Sequence, residues 1–128
     1  MILALDTEAY SNLQRGDPDV LRAIQVAAEV ILPLITLGEL RAGFLDGNQT
    51  EKNERRLETF LRERRVRIVG PDEQTTFVYV RLFAQLQKHG RRIPANDLWI
   101  AALVMQHGWT LCSRDAHFDH LPQIPRWQ

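Results

Sequence analysis

Cysteine is nearly absent from this chain: Cys112 is the only one, so no internal disulfide can form. It ends the apolar run Trp109-Thr110-Leu111-Cys112 and reads as a packing residue rather than a nucleophile. An excess of either charge is also missing. Sixteen Lys+Arg balance sixteen Asp+Glu, which argues against a generically basic nucleic-acid binder and leaves only local basic patches. No apolar run reaches about 18 residues, so no membrane span is expected. The opening stretch Met1-Ile2-Leu3-Ala4-Leu5-Asp6 has no basic or long apolar region of the signal-peptide kind, and the expected compartment is cytoplasmic. There is no Gly-rich phosphate loop and no G-x-S-x-G elbow. His117 and His120 lack the Cys pair or second His pair that zinc would want, and they read as surface histidines of a C-terminal turn.

What is present is an ordinary globular balance, 45% hydrophobic and 25% charged over 128 residues, which suits one domain spanning 1–128. Short apolar runs alternate with helical patterns. Residues 2–5 read as a buried strand, followed by a short helix to Gln14 capped by Asp6 or Thr7. Asp17-Pro18 opens a second helix, with Pro18 suited to the first helical position. Val30 to Ile35 reads as strand two, in which Pro33 suggests a bulge or irregular pairing. Helices follow at 36–44 and 50–64, then a third strand at Val66, Ile68 and Val69. Asp72 caps a helix closed by Gly90, and a helix at 96–107 is closed by Gly108. Residues 109–112 make the fourth strand. The last 13 residues read as irregular, with one edge strand near Ile124. Strands alternating with helices predict an α/β fold with a mostly parallel sheet of four to five strands, covered on both faces.

In such a sheet, ligands bind beyond the carboxyl ends of the strands. Asp6 and Asp115 follow strands directly, Glu39 lies one helical turn past strand two, and Asp97 opens the apolar helix 98–105. Each acid has a structural reading of its own. Asp6 and Asp115 can cap the turns they precede, and Asp97 suits a helix first turn. Thr36-Leu37-Gly38-Glu39 has the form of a capping box. Together they fall where the fold would gather them. A carboxylate cluster must take up protons or bind a cation, and oxygen donors suit Mg²⁺ or Mn²⁺.

At these residues the chain resembles the PIN-domain family, and within it the VapC-type toxins of toxin–antitoxin modules. Leu5-Asp6-Thr7 with Ser11 is similar to the family's opening motif. Leu37 to Gly43 is similar to its second. Ile93 to Ala102, containing Asn96-Asp97, is the most specific match, and Ser113-Arg114-Asp115-Ala116-His117-Phe118 matches the last, with Ser for Thr at 113. The resemblance spans nearly the whole chain and implies a three-layer α/β/α PIN-like fold. It implies a Mg²⁺- or Mn²⁺-dependent endoribonuclease in which Asp6, Glu39, Asp97 and Asp115 form the catalytic and metal-binding cluster. Thr7, Ser11 and Asn96 would orient those carboxylates, and Asp119 is a further candidate. Glu8 departs from the family, which commonly carries Asn or Ser there; it points to solvent or adds a fifth carboxylate.

The resemblance further implies hydrolysis of tRNA or rRNA by a metal-activated water, a cognate antitoxin protein as partner, and a homodimer. Arg41, Arg91, Arg92 and Arg114, which flank the motifs, are candidate RNA contacts. The alternative within the family is a catalytically silent RNA-binding or scaffold domain, which would tend to lose acids that this chain keeps. A dehalogenase-type phosphatase would want an Asp at position 8, and a receiver domain a Lys after a late strand; Lys52 and Lys88 do not supply it.

Overall fold

The computed structural model describes residues 1–127 and has four parallel strands and six α-helices among them. The strands are β1 (Ile2–Leu5), β2 (Glu29–Pro33), β3 (Val66–Val69) and β4 (Thr110–Cys112), and their order across the sheet is β3-β2-β1-β4. The helices are α1 (Thr7–Gln14), α2 (Pro18–Val26), α3 (Leu34–Asp46), α4 (Thr50–Leu61), α5 (Glu73–Lys88) and α6 (Ala95–His107), with a 3₁₀ turn at Ala116–His120. The fold is therefore the expected three-layer α/β/α arrangement, with a four-stranded sheet. No helix among the described residues is long and apolar enough to cross a membrane.

Strand alternation sorts the core into two layers. Leu3, Leu5, Val30 and Leu32 face the side covered by α1, α2 and α4, where they meet Ala9, Tyr10, Val20 and Leu57. Ala4, Ile31 and Leu111 face α5 and α6, where they meet Leu82, Leu86 and the continuous buried run Ile100 to Val104. Three strands run outward from β1 to β3, and β4 then returns to the other side of β1. The chain thus reverses its winding between β1 and β4. The crevice at that reversal, beyond the strands' carboxyl ends, is where an α/β sheet offers space for a ligand.

Local chemistry explains most element ends. Asp17 accepts from the N–H groups of Asp19 and Val20 ahead of Pro18 in α2. Asp72 and Thr75 form a reciprocal capping box at the start of α5. Gly108, with φ +70°, terminates α6 in the left-handed conformation that glycine adopts without steric cost and turns the chain into β4.

Four expectations are corrected. Strand two ends at Pro33 and not at Ile35, because α3 starts at Leu34. Pro33 makes no bulge: it pairs in register with Val69 and ends the strand, where its missing N–H costs nothing in the ladder. Helix α4 stops at Leu61, three residues short of the expected 64. In place of an edge strand near Ile124, a single parallel bridge joins Leu111 to Arg126. The apolar residues of α5 divide by face: Leu82 and Leu86 are buried, whereas Phe77, Val80 and Phe83 are 59%, 61% and 50% exposed.

Candidate active site

The crevice beyond β1 and β4 holds the four acids that the motifs single out. Asp6 is the N-cap of α1 and is only 6% exposed. Its Oδ1 accepts from the Ala9 N–H at 2.8 Å. Its Oδ2 accepts from the buried Ser113 hydroxyl, which in turn accepts from the Asp115 N–H at 3.0 Å. Ser113 thus ties the end of β4 to the end of β1. Capping and site membership are not alternatives here, since one carboxylate does both.

Glu39 projects from the second turn of α3. Thr7 donates its hydroxyl to Glu39 Oε1 at 2.7 Å, and Asn96 donates its amide to Oε2 at 3.3 Å. The expected capping box of Thr36 and Glu39 does not form. The helix begins two residues before Thr36, and Thr36, fully buried, donates instead to the Leu5 carbonyl at 3.0 Å. That bond braces the end of β1 one residue before Asp6.

Asp97 lies in the first turn of α6 and Asp115 caps the 3₁₀ turn through the His117 N–H at 2.8 Å. His117, expected to be a surface residue, joins them. Its Nδ1 is 2.8 Å from Asp97 Oδ2 and 3.0 Å from Asp115 Oδ1. Asp97, Asp115 and His117 each offer one ligand atom within 4.8 Å of the others, a set able to hold a metal ion. Asp97 and His117 are 20 positions apart and only the 3₁₀ turn brings them together, so spacing alone could not reveal the pair; the signal was the histidine two residues after a motif acid.

The electrostatics are those of a crowded carboxylate pocket. Burial raises the Asp6 proton affinity above the usual carboxylate value, opposed by its hydrogen bonds and reinforced by the charges of Asp97 and Asp115. Burial likewise raises Asp97, opposed by His117 and reinforced by Asp115 and Glu39. A divalent cation would relieve that strain. Asp97 Oδ1 and Asp115 Oδ2 accept no hydrogen bond from the described residues and stay open for one. Carboxylate oxygens with a single imidazole suit Mg²⁺ or Mn²⁺. Cys112, buried next to Asp6, has its thiol pushed up to about 11, in keeping with a packing role.

Other candidates fall outside the cluster. Ser11 lines the neighbouring groove beside Glu39 and makes no side-chain hydrogen bond to an acid. Glu8 is exposed and pairs with Arg15 at 3.4 Å. Asp119 is bound to Arg126 at 2.5 Å. Two of the candidate RNA-contacting arginines are engaged by acids: Arg41 by Glu54 at 2.8 Å, and Arg114 by Asp17 through two bonds of 2.8 and 3.0 Å. The second pairing holds Asp17 down to about 2. Arg91 and Arg92 are exposed just before α6, beside Tyr79 and Phe83.

Known proteins resemble this chain over nearly its whole length. The family model described as PIN domain matches residues 3–124. Ribonuclease VapC4 of Mycobacterium tuberculosis is 31% identical over 121 residues, covering 93% of this chain and 90% of that protein. Ribonuclease VapC1 of Haemophilus influenzae (strain R2866) is 33% identical over 133 residues, covering 100% of this chain and 97% of the relative. Among solved structures, the VapBC2 complex of Rickettsia felis, bound to a DNA fragment from its promoter, superimposes with a TM-score of 0.86 at 25% identity, covering all of both chains.

Proposed function

The chain belongs to the PIN-domain family, among the VapC-type proteins, and on that footing we propose that it is a metal-dependent endoribonuclease acting as the toxin of a toxin–antitoxin module. The observation that carries this reading is the convergence of Asp6, Glu39, Asp97 and Asp115 on one crevice, each but Asp115 oriented by a side-chain partner from elsewhere in the chain. A silent scaffold would have no use for so costly a set of like charges. On this reading the substrate is an RNA of the tRNA or rRNA class, and Asp97, Asp115 and Asp6, with Glu39 beside them, would hold Mg²⁺ or Mn²⁺. His117 completes the donor set. Such an ion supplies Lewis-acid charge for the phosphate and acidifies water.

The protein's own groups do the rest. Asp97 Oδ1 and Asp115 Oδ2, which accept no hydrogen bond from the described residues, would hold the ion that acidifies the attacking water, whose proton passes to solvent. The water oxygen bonds to phosphorus, the P–O3′ bond breaks, and the departing O3′ takes a proton from solvent, leaving a 5′-phosphate and a 3′-hydroxyl. Thr7 and Asn96 fix Glu39, and Ser113 fixes Asp6, so the charge is in place before the substrate arrives.

Two partners follow from the same reading. A cognate antitoxin would close the crevice with a segment bearing a cationic side chain, which the four carboxylates attract. A second copy of the chain would cover the exposed Phe77, Val80 and Phe83 of α5, which stand three residues apart on one apolar face. The deciding experiment is an RNA-cleavage assay with Mn²⁺, with EDTA, and with Asp97→Asn. Cleavage only by the wild type with metal, giving 5′-phosphate ends, is expected; equal cleavage in EDTA would overturn the reading.

A further inference from the structure

An acidic crevice in a chain of zero net charge does not by itself attract a polyanion, so phosphates must be held by cations left free elsewhere. Several cations near the crevice are spent within the fold. Arg15 pairs with Glu8, Arg41 with Glu54, Arg114 with Asp17, and Arg126 with Asp119. Arg91 and Arg92 before α6 are unpaired among the described residues, and so are cations on α4. Lys52 and Arg56, four residues apart and so on one helix face, are exposed and make no ion pair among the described residues. Arg55 beside them has only an exposed contact with Glu51 at 4.0 Å.

That face borders a groove of about 380 Å³ between α1, α3 and α4. The volume falls within the range of about 300–1,000 Å³ usual for small-molecule sites. Glu39 and Thr7, both of the acid cluster's own hydrogen-bond set, stand at one end of the groove. Leu40, Gly43 and Phe44 give it an apolar wall on α3. Gln14 of α1 and Asn53 of α4 bring two side-chain amides to its lining, and Arg56 lies at the same edge. A second, shallower depression continues past Gln14 and Arg56 to Lys52 and Arg55. An apolar wall, amides able to meet a base edge, and a cation for the next phosphate are what one nucleotide of single-stranded RNA requires.

We propose that this α1–α4 groove is the RNA subsite next to the scissile phosphate, with the base seated against Leu40 and Phe44, Gln14 and Asn53 reading its edge, and Arg56 and Lys52 holding the following phosphates. The assignment rests on the ribonuclease reading above and adds to it the direction in which the strand leaves the acids: over α4, away from Arg114 and Arg41. An anionic strand is favoured over a peptide because, past Glu39 at its inner end, the cations Arg56, Lys52 and Arg55 outnumber the single acid Glu63 along this path, whereas a peptide that neutralises the acid cluster must itself be cationic.

The test uses the full chain in two assays: cleavage of a fluorescent oligoribonucleotide, and anisotropy binding of the same oligonucleotide to the Asp97→Asn protein. Adding Lys52→Gln and Arg56→Gln is expected to raise KM and Kd about tenfold with kcat within twofold. The logarithmic salt dependence of binding should become shallower by about 1.4, since single-stranded contacts contribute about 0.7 each. Gln14→Ala and Asn53→Ala should change the ratio of cleavage rates among oligonucleotides that differ only at the base flanking the cut. Unchanged KM, Kd and salt slope in a protein that still cleaves would overturn the groove and leave the nuclease standing. Weakened binding of an antitoxin peptide with unchanged RNA binding would also overturn it, making the groove a peptide site. A wild type that cleaves no RNA, yet loses RNA binding on substitution of Lys52 and Arg56, would remove the catalytic reading and keep the groove.

Discussion

His117 Nδ1 stands 2.8 Å from Asp97 Oδ2. The same nitrogen is 3.0 Å from Asp115, so one imidazole screens two carboxylates that would otherwise repel across the crevice. Replacing it with Ala removes that screen together with a donor from the proposed metal set. We expect His117→Ala to weaken Mn²⁺ binding by about 10–100-fold, the scale on which partners of metal ligands act. Calorimetric titration of Mn²⁺ into both proteins checks this, and equal affinities would make His117 a bystander.

Asp97→Asn separates function from stability. The substitution removes a charge needed in the transition state, so cleavage should fall by about 10²–10³-fold, the usual effect of deleting a preorganised charge. It also removes a carboxylate whose charged form burial disfavours. The metal-free variant should therefore melt at or above the wild-type temperature. A lower melting temperature would mean that Asp97 is structural, held for its bond to His117.

Much of this site was readable because family motifs mark strand ends, and strand ends are where a parallel sheet opens. Asp6 and Asp115 needed only that rule. What could not be read depended on tertiary choice. The sequence Thr36-Leu37-Gly38-Glu39 has a capping-box spacing, but Pro33 ends β2 early enough for α3 to start at Leu34, which puts Thr36 inside the helix. Its hydroxyl then bonds across to Leu5, and Glu39 turns to Thr7, a partner 32 positions away. The arginines beside the motifs could not be ranked either, because Asp17, which neutralises Arg114, precedes it by 97 residues.

Stability in the absence of metal should fall as pH rises above the ordinary carboxylate range. Asp6 and Asp97 have folded-state pKa values raised above the reference value of 3.8. The native state therefore binds more protons than the unfolded chain, and stability drops as pH climbs from 3.8 through the folded values. Asp17, lowered to about 2, and Asp72, also lowered, act oppositely and only below 3.8. Urea midpoints in EDTA should thus rise with pH below that point and decline above it. Mn²⁺ should shrink the decline, and Asp6→Asn with Asp97→Asn should abolish it. A decline that persists in the double variant would place its origin elsewhere.

Thr7 tests whether Glu39 must be held in place. Its hydroxyl donates to Glu39 Oε1 at 2.7 Å from the first position of α1. Thr7→Val keeps the shape and removes the bond, so kcat should fall about tenfold or more while KM stays near its original value. Thr7→Ser should restore most of the rate. A full rate in Thr7→Val would mean that Asn96 alone positions Glu39.

Thr36 tests the brace under the site. It is fully buried, and its hydroxyl donates to the Leu5 carbonyl at 3.0 Å. Thr36→Val puts a methyl where that donor was, which should cost about 1–3 kcal/mol in urea unfolding, the range for a buried polar group deprived of its partner. Leu5 is followed directly by Asp6, so the loosened strand end should also lower Mn²⁺ affinity, although Thr36 touches no acid. Thr36→Ser retains the donor and should recover both properties. Loss of stability with Mn²⁺ affinity intact would show that Ser113 and the Ala9 N–H are enough to hold Asp6 when the end of β1 is free to move.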